Sequence, residues 1–89
     1  MSSSIKLWFY IKKCKKLDNN VLLDTLKTLK IDLDRVESIL QLRYAEYDSG
    51  KMPYHKFNDL ICVTQDKLTL IEKKINAINN ILSSRGVLV

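Results

Sequence analysis

Apolar residues recur along this chain at alternating spacings of three and four. Ile61, Thr64, Leu68, Ile71, Ile75, Ile78 and Leu82 draw one continuous seam down a helix. An earlier run, Leu26, Leu29, Leu33, Val36, Leu40, Arg43 and Tyr47, repeats the spacing. Between the runs lies Asp48-Ser49-Gly50-Lys51-Met52-Pro53, a turn in composition and position. The pattern predicts an all-α protein: a long helical hairpin, packed as an antiparallel coiled coil, with an additional N-terminal helix and a bundle completed by dimerisation.

Local signals set the boundaries of a single domain, 1–89. A basic, aromatic helix is expected over 4–17. The first hairpin arm is expected over 19–48, with Asp18-Asn19-Asn20 supplying N-cap residue types before Val21. A break near 30–32 is left open. The heptad runs through Lys30-Ile31-Asp32, yet Asp32 or Asp34 suits a new N-cap, and Glu37 completes a capping-box spacing with Asp34. The second arm is expected over 53–85, with Pro53 in its first turn, Gly50 as a positive-φ cap before it and Gly86 as the cap after it. Such an arm spans roughly 45–50 Å, so it must fold against another rod. Leu60, Cys62, Val63, Leu70 and Ile81 widen its stripe beyond a two-helix seam, which implies more than one neighbour.

Composition supports long helices in a small core. The 89 residues are 46% hydrophobic and 28% charged, with two glycines and one proline, which excludes a disordered chain. A domain of this size buries a modest fraction of its surface, and oligomerisation is the simplest remedy. The partner implied is a second copy or a larger helical protein that shares the seam. Cys14 and Cys62 form no Cys-x-x-Cys pair, and no disulfide framework is expected. The run Ile5–Ile11 contains Lys6 and is followed by lysines, so it reads neither as an integral membrane segment nor as a secretory signal. The expected location is the cytoplasm.

The net charge of +5 is concentrated in one arm. Residues 1–20 carry Lys6, Lys12, Lys13, Lys15 and Lys16 against Asp18, five minus one, which leaves +1 for the other sixty-nine residues. Lys12, Lys13, Lys15 and Lys16 following Trp8, Phe9 and Tyr10 suit a nucleic-acid backbone or an anionic lipid surface, although one short cluster is a weak electrostatic signal. The leading reading is structural: the aromatic and aliphatic side chains cover the hairpin while the lysines stay in water.

No residue set specifies a reaction. His55 is the only histidine and stands beside a turn, the two glycines cannot form a phosphate-cradling loop, and the carboxylates are spaced as on a solvated helix face. No enzyme activity, cofactor or metal is expected. Arg43 breaks the apolar rule of its seam. It either snorkels to water or makes a partner-selecting contact with Glu46, Asp48 or a carboxylate of another chain.

The stretch from Leu29 to Arg43, with its Leu-Gln-Leu-Arg ending, resembles the segment that links the DNA-binding domain of MerR-type transcription regulators to their dimerisation helix. The turn at 48–52 and the heptad helix from Tyr54 to Ser84 are similar to the next part of the chain in that family, which dimerises as an antiparallel coiled coil. The resemblance covers roughly residues 22–84. It implies a regulator reduced to its dimerisation part and lacking the winged helix-turn-helix, pairing with itself or with a full-length relative. Metal-sensing members place a cysteine near the start of the long helix, where Cys62 lies, but a thiolate site needs further ligands and no second cysteine is close in sequence. A second likeness runs from Gly50 to Leu60, which is similar to a turn-and-helix segment of small basic four-helix bacteriocin immunity proteins. That is the alternative function.

Overall fold

A computed structural model describes residues 2–87. The chain folds into three helices, α1 (Ser2–Cys14), α2 (Asn19–Asp48) and α3 (Tyr54–Ser84), with no strand among the described residues. Helices α2 and α3 pack along each other as the hairpin, and α1 packs on α3. Tyr10 lies beside Lys74, and Arg85 reaches Lys15, Leu17 and Asn19. Helix α1 therefore runs parallel to α3 along its C-terminal half, and the other half of the hairpin has no third helix.

The arms follow the heptads more closely than the capping signals. Helix α2 is unbroken through Lys30-Ile31-Asp32. Leu29, Leu33 and Val36 hold its apolar stripe in register across that stretch, and the Asp34 carbonyl accepts the Ser38 hydroxyl at 2.9 Å from within the helix. Asp18 occupies the N-cap in extended backbone, but its side chain makes no capping bond. Helix α1 ends at Cys14, three residues before the expected Leu17. Bonds from Lys16 N–H to Lys13 and from Leu17 N–H to Cys14 tighten the chain there, which returns Leu17 to the core.

Both C-terminal stops of the hairpin arms share one geometry. After α2, Gly50 N–H donates to Tyr47 and Lys51 N–H to Glu46; after α3, Gly86 N–H donates to Ser83 and Val87 N–H to Leu82. These are Schellman pairs, and they satisfy carbonyls that a helix end would leave free. Gly50 and Gly86 have φ of 76° and 78°. Val87 completes the second stop by packing on the core. Pro53 sits at the N-cap of α3, and its carbonyl accepts the Phe57 N–H at 3.0 Å.

Burial is graded along the hairpin. The core joins Cys14, Leu22, Leu26, Ile75, Ile78, Ile81 and Leu82 where all three helices meet. Leu22, Ile78 and Leu82 are wholly inaccessible. Toward the turn the buried set thins to Met52, Ile61 and Thr64. The molecule extends 50 × 27 × 14 Å with a radius of gyration of 16.2 Å, against about 12 Å for a compact chain of this length.

The glycine stops can be tested by substitution. No atom lies within 4 Å of a Cβ built on Gly86, so Gly86→Ala should cost only the left-handed backbone strain, about 1–2 kcal/mol. Chemical denaturation should show a lower midpoint with an unchanged m-value.

Candidate interaction surface

The predicted seams meet each other along the hairpin interface. On α2, Leu26 is buried, and Leu29, Leu33, Val36, Leu40, Arg43 and Tyr47 are half-buried. On α3, Ile61, Thr64, Ile75, Ile78 and Leu82 are buried, and Leu68 and Ile71 are half-buried. Thr64 is tolerated inside because its hydroxyl donates to the Leu60 carbonyl at 2.7 Å. Arg43 donates to Glu46 at 2.9 Å, one turn along the same helix. Of the contacts within the chain that the sequence leaves open, this is the one made, with both side chains half-buried.

A second stripe on α3 receives α1. Lys74, Ala77 and Ile81 lie at helical spacing, and Lys74 Nζ stands 4.9 Å from the centre of the Tyr10 ring. Ala77 is buried, and its small side chain allows α1 to approach. The same spacing carries the stripe toward the turn through Leu70 and Lys67 to Val63; Leu70 and Val63 are 36% and 54% exposed, and Lys67 is exposed too. Leu60 is half-buried and Cys62 exposed, so α1 covers only part of the widened stripe.

Helix α1 contributes Tyr10, Ile11 and Cys14 to this contact, and Leu7, three residues before Tyr10 on the same face, is half-buried. Burial pushes the Tyr10 phenol up to about 12, assisted by repulsion from Cys14 and a hydrogen bond to its sulfur. The structural reading of the N-terminal arm needs correction at three residues. Ile5, Trp8 and Phe9 do not cover the hairpin; they are 59%, 52% and 60% exposed. They occupy the opposite side of α1, because the inner positions already fill the contact. Lys12, Lys13, Lys15 and Lys16 are exposed, as expected.

Two clusters escape the heptad reading. At the turn, Tyr47 stacks on Phe57 with ring centres 4.3 Å apart, while Tyr44 meets Phe57 edge-on at 5.4 Å and Tyr54 lies 6.1 Å from Tyr47. The signal was present in the sequence: Tyr44/Tyr47 and Tyr54/Phe57 are pairs three apart on either side of the turn. At the other end, Arg85 donates to the Lys15 carbonyl at 2.7 Å, the Leu17 carbonyl at 2.8 Å and Asn19 Oδ1 at 3.0 Å. This clamp ties the end of α3 to the α1–α2 junction.

The surface carries little convergent chemistry. His55 and Cys62 are exposed, Cys14 is buried, and both thiols are free. Among the described residues, no three His, Cys, Asp or Glu side chains gather as a metal site would require, and no helix is long and apolar enough to cross a membrane. A shallow depression beside Val21, Asp24, Thr25, Thr28 and Leu29 is lined by α2 alone.

The raised Tyr10 pKa makes a signed prediction. A phenol whose pKa is higher in the folded state contributes stability that is fully present below pH 10 and is lost as pH rises toward 12. Tyr10→Phe should therefore flatten the loss of stability between pH 10 and 12 relative to wild type, as read by urea midpoints. Parallel profiles would mean that Tyr10 does not drive the loss.

Comparison with protein-family models, with curated proteins and with solved structures gives no match, so the functional reading rests on the residues and geometry of the chain itself.

Proposed function

We propose that this chain is a non-enzymatic helical pairing module that works as a homodimer, in a setting of transcription regulation. Surface area carries the reading. The chain, at 10.4 kDa, exposes 6616 Å², where a compact monomer of that mass exposes about 5400 Å². The excess, about 1200 Å², is larger than the roughly 800 Å² that each partner gives to a standard interface. Part of this exposed area lies in the half of the hairpin that α1 does not reach, where Val36, Leu40 and Leu68 remain half-buried.

A second copy fits this surface because it supplies the helix that is missing. Val63 and Leu70 continue the track that α1 follows on α3, and a helix of the second copy laid along that track encloses the seam as in a four-helix bundle. The regulatory setting rests on the likeness of Leu29–Arg43 and of the hairpin to the dimerisation region of MerR-type regulators. Helix α2 departs from that region where it runs straight through Lys30-Ile31-Asp32, so the likeness is one of hairpin and seam. The other likeness, to four-helix immunity proteins, calls for a fourth helix, and the described residues form three.

Light scattering on a sizing column, across a dilution series and at low and high salt, should give twice the mass of 10.4 kDa. Val63→Glu combined with Leu70→Glu should give a monomer with unchanged helicity, since both side chains are exposed within one chain. A wild-type monomer at every concentration would overturn the pairing.

A further inference from the structure

Helix α1 has two working faces. Tyr10, Ile11 and Cys14 pack inward, whereas Ile5, Trp8 and Phe9 form an apolar patch directed away from α3 and are each more than half exposed. Lysines surround that patch. Lys6, Lys12, Lys13, Lys15 and Lys16 are all exposed, and no acidic residue occurs before Asp18. On the neighbouring helix, the residue that meets the α1 ring system is also a cation, Lys74. Three large exposed apolar side chains within a field of one sign are unusual on a small protein surface.

We propose that the outer face of α1 docks on an anionic lipid surface, with Ile5, Trp8 and Phe9 entering the headgroup boundary and the lysines contacting lipid phosphates. Charge complementarity selects the occupant: three cations on α1 and two in the turn that follows it suit a negatively charged bilayer, and Trp and Phe favour the interface between hydrocarbon and water. The geometry of the rings favours lipid over nucleic acid. Lys12 Nζ covers one face of Trp8 at 4.5 Å from the ring centre, and the Phe9 and Trp8 rings are near-perpendicular, 5.0 Å between centres at 74°. A base stacks on an open aromatic face, and Lys12 occupies one of the two faces of Trp8. An acyl boundary needs apolar area rather than a flat platform. The attachment is peripheral, since no described helix can span a bilayer, and it uses the side of α1 opposite the hairpin, so it stands apart from pairing.

Trp8 is the only tryptophan in the chain, so its emission reports the contact directly. The full chain should co-sediment with phosphatidylglycerol vesicles at low salt, with Trp8 emission shifted to the blue, and should stay in solution with phosphatidylcholine vesicles. Phe9→Ser should weaken binding without changing helicity. Lys15→Gln with Lys16→Gln should lower affinity at least roughly tenfold while Trp8 stays in place. Four results would overturn the proposal: no binding to anionic vesicles, equal binding to neutral ones, binding with no shift in Trp8 emission, or retention by oligonucleotides alone. Loss of the dimer in Phe9→Ser without vesicle binding in wild type would assign the patch to a second copy instead.

Discussion

Two helices touch along one line, and a line of contact encloses only a few of the side chains that form it. A third element has to close the groove. Here α1 does so over 13 residues, about 20 Å of rise against roughly 46 Å for the 31 residues of α3. The mismatch in length governs the rest of the structure. Leu22, Ile78 and Leu82, wholly inaccessible, lie in the covered half, whereas in the other half Ile61 and Thr64 are buried but Val36, Leu40 and Leu68 of the same seams stay half-exposed. One sequence pattern thus yields two environments, and local stability is expected to follow the burial.

The ends of the rod are held by different chemistry. The turn has little room for a core, and four aromatic rings and Met52 take its place. Stacked and edge-on ring pairs fix the spacing of the two helices where the seam is weakest. At the opposite end the difficulty is polar. The tight exit from α1 leaves the Lys15 and Leu17 carbonyls short of helical partners, and the forked guanidinium of Arg85 reaches both. These bonds are exposed to water, so their net strength is modest, and their main effect is to fix where α3 ends relative to α1.

Periodicity made the fold legible. The two seams, the turn between them and both glycine stops are local patterns, and the helices follow them to within a few residues. The continuity of α2 through Lys30-Ile31-Asp32 was undecidable locally, because the same aspartates suit a cap and a solvated helix face; the unbroken seam decides it. Contacts distant in sequence were beyond reach. Arg85 lies 66 to 70 residues from its acceptors, and no spacing rule links them. The N-terminal arm shows a different limit. An apolar run states how much hydrophobic surface a helix carries but not which neighbours have room for it, and α3 has room for the face that carries Tyr10, Ile11 and Cys14 only. Trp8 and Phe9 were therefore legible as residues and misread as core. Function was less legible still, since the half-buried part of the seam on which the proposed pairing rests is visible only once the length of α1 relative to α3 is known.

An unfilled seam changes what stability means for such a chain. The covered half has its own enclosed core, whose burial is complete within one chain. Over the other half, half-buried leucines and valines contribute fully only when something excludes water from them, so their contribution grows with the population of bound partner. Association and order in that half are then one equilibrium. The outer face of α1 is exempt from it, because the residues there are exposed whether or not the groove is filled. Under the proposed pairing, the basic and aromatic face of α1 stays constant while the uncovered half responds to concentration, and the two can be altered by separate substitutions.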